Sequence, residues 1–212
     1  MSAHCCHHEP AAPSIRDPQQ ARRYRRVLWA ALLLNALMFV VEIASGLRSG
    51  SVALLADALD FLGDAANYGI SLAVLGLHLS VRARAAQFKA WSMALFGLWV
   101  LGSAAWHALS GAVPEPATMG VVGTLALLTN LGVAALLYAY REGDANMRSV
   151  WLCTRNDALG NLAVLLAALG VFGTSTAWPD LLVAAGMALL ALSAALQVLR
   201  QARGELAAPW LH

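Results

Sequence analysis

The sequence predicts an all-α membrane protein, a bundle of six transmembrane helices, on three observations. Of its 212 residues 59% are hydrophobic and only 12% charged, where a soluble domain carries about 25% charged residues; the mean hydropathy is +0.63. Apolar stretches recur six times at about 20 residues or more, the length a helix needs to cross roughly 30 Å of hydrocarbon at 1.5 Å per residue. Lys and Arg gather in alternate connections, as they do where positive flanks stay on the cytoplasmic side.

Residues 1–26 are rich in His, Pro and Arg, and the apolar run behind them is too long for a secretory signal, so they are expected to form a cytoplasmic tail. The six spans then read 27–46, 51–80, 90–111, 117–140, 149–172 and 180–199. Arg16, Arg22, Arg23, Arg25 and Arg26 precede the first span, and Arg82, Arg84 and Lys89 lie between the second and third. Arg141 and Arg148 lie between the fourth and fifth, and Arg200 and Arg203 follow the sixth. With six crossings all of these fall on one side, so both termini are expected to be cytoplasmic. The expected division is a tail (1–26), a transmembrane domain (27–200) and a short C-terminal tail (201–212) with no soluble domain.

A net charge of +2 calls for no nucleic-acid partner; the lipid bilayer is the partner expected. Cys5 and Cys6 stand in the tail and Cys153 in the fifth span, which suggests no disulfide framework, and the reducing cytoplasm would keep the tail pair as thiols. With its two neighbours on one side and one on the other, that pair forms a dense run, His4, Cys5, Cys6, His7 and His8. Thiolates and imidazoles at that density chelate Zn²⁺ or Cu⁺, which makes the run a candidate for metal capture; the competing reading is an inert terminus.

Five acids stand where acids are costly. A charge near the bilayer centre costs about 3 kcal/mol on the insertion scale, yet Glu42 lies in span one, Asp57, Asp60 and Asp64 in span two and Asp157 in span five. The three aspartates of span two fall at i, i+3 and i+7, one stripe of a helix. Asp60 and Asp64, four apart, bring two carboxylates within one turn, an arrangement stable only with a cation between them or a proton on one. Cys153 and Asp157 repeat the spacing on span five. Asp60 and Asp157 each lie about nine residues, roughly 13 Å, from opposite surfaces, so both approach the midplane. Two acids from one helix with a thiolate and an acid from another make four ligands, a set suited to tetrahedral Zn²⁺. The competing reading for Cys153 is a small buried apolar residue; for the aspartates it is an ion pair with Arg155, which lies off their face. Asn35, Asn67, Asn130, Asn156 and Asn161 read first as interhelical hydrogen bonders. Asn35, Glu42, Asp57, Asn156 and Asn161 are accessory candidates along an ion path.

The residues N-x6-E-x3-G in span one (Asn35, Glu42, Gly46), SGSVALLADALDFLGDAANY in span two and RNDALGNLAVLLAA in span five resemble the cation diffusion facilitator family of divalent metal transporters. The resemblance covers essentially the whole membrane portion. It implies a transport site of two residues four apart on helix two and a His/Asp pair on helix five, places taken here by Asp60, Asp64, Cys153 and Asp157. Cys153 stands where the family commonly has His, and sulfur favours softer ions. The cytoplasmic C-terminal domain of many relatives is not expected here, and where some zinc-carrying relatives insert a His-rich loop between helices four and five, REGDANMR stands instead. A homodimer is implied by the resemblance alone.

The activity implied is export of a divalent metal, Zn²⁺ first and Cd²⁺, Co²⁺, Ni²⁺, Fe²⁺ or Mn²⁺ after it, in exchange for protons, with the metal as cargo and no cofactor. The setting expected is the bacterial inner membrane. No Ser/His arrangement and no H-E-x-x-H motif speaks for an enzyme. The alternative is a metal-binding membrane sensor or accessory protein that moves nothing.

Overall fold

The computed structural model describes residues 18–73, 79–138 and 145–207; within these, the side chains of residues 18, 20, 21, 79–83, 85, 86, 89, 145–156, 201 and 204–207 are outside the description. Six helices make up the described chain: α1 (Pro18–Ser49), α2 (Val52–Ala73), α3 (Leu79–Ser110), α4 (Pro116–Tyr138), α5 (Ala145–Thr174) and α6 (Trp178–Ala207). α1 begins ahead of the apolar run expected to open it, with proline at a first helical position where a missing N–H costs nothing. α2 is described as far as Ala73; of the span expected through residue 80, residues 74–78 lie outside the described residues, and Leu79 already belongs to α3.

Five helices contain stretches long and apolar enough to cross a membrane: Arg22–Ser49, Ala90–Ser110, Pro116–Tyr138, Asp157–Thr174 and Trp178–Arg200. The sixth, α2, has 22 residues, about 33 Å of helix, but carries three aspartates. What shields them is its position. α2 packs against every other helix, whereas α3 lies chiefly on α6 and α4 on α5. From Ser51 to Leu59 every residue is buried. The bundle's outside is the reverse of a soluble surface: Leu109 is 88%, Phe88 78% and Phe172 77% exposed, an apolar belt that only lipid can cover.

The turn from α1 into α2 is unusually well specified. Gly50, at φ 70°, takes the left-handed conformation that ends α1. Gly46 admits no side chain, since a Cβ there would lie 2.7 Å from Leu55 Cδ2 and 3.2 Å from the Ser51 carbonyl. Every exposed donor at the start of α2 finds an acceptor. Ser51 N–H donates to the Gly46 carbonyl at 3.1 Å, and Ser51 Oγ caps Leu54 N–H at 3.2 Å. The rest go to Asp180, in the first turn of α6. Its Oδ2 accepts from Val52 N–H at 2.8 Å, and its Oδ1 from Ala53 N–H at 3.1 Å and the Ser51 hydroxyl at 2.6 Å. A carboxylate 1% exposed thus sits on the positive end of the α2 dipole and ties the central helix to α6.

Candidate metal centre

Three aspartates descend one side of α2. Asp57 is fully buried, Asp64 is 7% exposed, and Asp60 between them is half-buried. The face they share meets α5 at Gly160, where a Cβ would sit 3.6 Å from Asp60 Oδ2 and 3.9 Å from Asp57 Oδ1. Asp157 lies one turn before Gly160, and Asn161 one turn after Asp157, so the acid-bearing sides of α2 and α5 adjoin. A Cβ at this position would meet both carboxylates at ordinary contact distance, so α5 lies close against the acids of α2 here.

Glu42 of α1 completes the acidic centre. It is fully buried and lies against Asp57, with Asp60 the next acid along. The four carboxylate oxygens of Glu42 and Asp57 have no hydrogen-bond donor. Ionised carboxylates only accept, so a facing pair without donors requires a proton or a cation. Further buried side-chain atoms lack a partner: Oδ1 of Asn35 and of Asn130, and both amide atoms of Asn161. Each costs about 1–3 kcal/mol if left dry. All belong to α1, α2, α4 and α5, and no described residue of α3 or α6 adds one. The polar core, defined by these atoms, is thus carried by α1, α2, α4 and α5, and its unmet groups call for water or an ion. Asn35 departs from the interhelical role expected of it: its Nδ2 donates within its own helix, to the Ala31 carbonyl at 2.8 Å.

Among the described residues no three His, Cys, Asp or Glu side chains converge at ligating range. Asp60, Asp64 and Asp157 are described; the side chains of Cys153, Asn156 and Arg155 are outside the described residues, as are His4, Cys5, Cys6, His7 and His8.

Residues 28–207 match the cation efflux transmembrane domain family, a stretch that runs from α1 to the last turn of α6. The chain belongs to the cation efflux family. It is an integral, multi-pass membrane protein, and its six helices are the family's transmembrane bundle. Among relatives of this cation efflux protein, the metal cation efflux system protein CzcD of Cupriavidus metallidurans is 28% identical over 169 residues, covering 73% of this chain and 53% of that protein. The zinc transporter ZitB of Pectobacterium atrosepticum is 29% identical over 192 residues, 84% of this chain and 60% of its own length. ZitB of Escherichia coli is 29% identical over 214 residues, 94% of this chain and 66% of its own. The chain thus spans between half and two thirds of these curated relatives.

Two residues of this cation efflux protein that bear on the centre escape a reading of the sequence. Asp180 reads as an acid in the first turn of its own helix, a local dipole effect, and only the packing directs it to α2. Tyr68 is one turn beyond Asp64, and its hydroxyl donates to Asp64 Oδ2 at 3.0 Å; the i, i+4 spacing is the signal that could have found it.

Proposed function

We propose that this chain carries a divalent metal ion, Zn²⁺ foremost, out of the cytoplasm across the bacterial inner membrane in exchange for protons. The observation that carries the reading is the burial of the Glu42–Asp57 carboxylate pair without a donor, where α1 meets α2 beside the Gly160 face of α5. The names of the relatives, a zinc transporter and a metal cation efflux protein, support the metal as cargo. Asp60, Asp64, Cys153 and Asp157 are its ligands in this reading, and Glu42, Asp57, Asn35, Asn156 and Asn161 line the route. Metal entering from the cytoplasm displaces protons from the ligands, which bind only when deprotonated. Rocking of the α1, α2, α4 and α5 group against α3–α6 opens the site to the far side. There incoming protons compete for the same groups and release the ion. Both termini lie in the cytoplasm, His4–His8 capture metal, and two chains associate.

The test is flux in proteoliposomes with an imposed pH gradient, over Zn²⁺, Cd²⁺, Co²⁺, Ni²⁺, Fe²⁺ and Mn²⁺. Zn²⁺ should move against the proton gradient and stop when an ionophore collapses it. Binding without movement would instead fit an accessory or sensor protein.

Gly160 offers a second check. Gly160→Ala puts a methyl at ordinary contact distance, 3.5 Å from Met187 Cε, and should transport within about twofold of wild type. Gly160→Leu drives a branched side chain between α5 and the acids of α2, an overpacking worth about 1–3 kcal/mol, and flux should fall at least about tenfold. Equal rates for the two variants would separate α5 from the transport path.

A further inference from the structure

Asp64 does not meet the polar core with two equivalent oxygens. Its Oδ2 accepts the Tyr68 hydroxyl at 3.0 Å, and that hydroxyl is not loosely held. The Tyr68 ring is 1% exposed and packs among Tyr24, Leu28, Ala31, Leu72, Val133 and Leu137, contributed by α1, α2 and α4. A phenol has two torsions, and close packing of the ring fixes both, so the hydroxyl marks a set point for the carboxylate. Burial of Asp64 at 7% exposure keeps water from competing for that bond.

We propose that Tyr68 is a positioning residue that sets the metal preference of the site, by holding Asp64 Oδ2 so that Asp64 meets the ion through Oδ1 alone. The inference rests on the reading of Asp64 as a ligand. Its consequence follows from ion size and coordination number. Zn²⁺ takes four ligands and is content with one oxygen from each carboxylate at about 2.0–2.2 Å. Larger, harder ions reach higher coordination numbers by using both oxygens of a carboxylate. A phenol hydrogen-bonded to one oxygen uses one of its two lone pairs and fixes its direction, which makes it a poorer second donor to such ions and leaves Zn²⁺ little disturbed. Mn²⁺ is the informative competitor, because it prefers carboxylate oxygens and gains little from a thiolate at Cys153; a change in Cd²⁺ would mix the two effects.

Proteoliposome uptake of Zn²⁺ and Mn²⁺ by the full chain, at one pH, tests it. Tyr68→Phe removes the hydroxyl and keeps the ring. The ratio of Vmax/KM for Mn²⁺ to that for Zn²⁺ should rise about tenfold, mainly through the two KM values, and 4-aminophenylalanine at position 68, which restores a donor, should return the ratio to wild type. A ratio unchanged in Tyr68→Phe overturns the proposal, whether or not both rates fall, since loss of packing lowers the two metals alike. Should Tyr68→Phe fail to accumulate, the Mn²⁺-induced infrared difference spectrum of the wild-type protein, with that of Asp64→Asn subtracted, decides: monodentate carboxylate splitting supports the proposal and bidentate splitting defeats it. Wild-type transport by Asp64→Asn would remove the underlying site, a different result from an unmoved metal ratio.

Discussion

Asp64→Asn should abolish metal flux, with initial rates reduced at least about 100-fold, while the protein still inserts and accumulates in the membrane. The substitution keeps size, shape and an oxygen able to accept from the Tyr68 hydroxyl, so packing around a residue 7% exposed is preserved. What it removes is one negative charge. In a core where a charge is weakly screened, a divalent cation needs compensating carboxylates, and taking one away leaves the ion partly uncompensated, a loss of roughly 3–5 kcal/mol for a buried pair. Insertion should improve slightly, because an amide partitions into the bilayer more easily than a carboxylate. The measurement is Zn²⁺ uptake into proteoliposomes, normalised to protein recovered in the membrane. A rate near wild type would take Asp64 out of the site.

Asp180→Ala should give the largest loss of stability of any single substitution on α6. Three donors at the start of α2, Val52 N–H, Ala53 N–H and the Ser51 hydroxyl, lose their acceptor at once, and each buried unsatisfied donor costs about 1–3 kcal/mol. Partial access of water to the turn lowers the sum, so about 3–5 kcal/mol is expected. Asp180→Asn keeps one carbonyl oxygen and should lose about 1–2 kcal/mol. Thermal unfolding in detergent reads both, with Asp180→Ala melting several degrees below Asp180→Asn. Transport should suffer too, because the helix carrying Asp57, Asp60 and Asp64 is no longer anchored at its first turn. An Asp180→Ala protein that melts with wild type would mean that solvent satisfies those donors.

Much of the centre is legible in one dimension because its cost is local. An aspartate in a hydrocarbon-length helix is costly unless a partner, water or the bundle interior receives it, so Asp57, Asp60, Asp64 and Asp157 stand out before any neighbour is known. Their helical periodicity shows which of them share a face. The asparagines are harder: Asn35 satisfies its amide nitrogen with Ala31 of the same helix, and Asn161 bonds to nothing at all, because an amide adapts to either fate and its sequence environment does not distinguish them. Gly160 is harder still. A glycine in an apolar helix is common in membranes, and its value here depends on carboxylates borne by a helix about 100 residues away.

By itself, then, the sequence determined the membrane setting, the helices and the presence of buried acids, since hydrophobic length, helical period and the penalty for a charge in lipid all act within one segment. Only the tertiary structure decided that α2 is the central helix, that its aspartates adjoin Glu42 and the Gly160 face of α5, and that Asp180 caps a helix 128 residues away. Which face meets which is settled by packing between helices. In lipid no hydrophobic gradient along the chain ranks those contacts, so close fit and hydrogen bonding alone select among them.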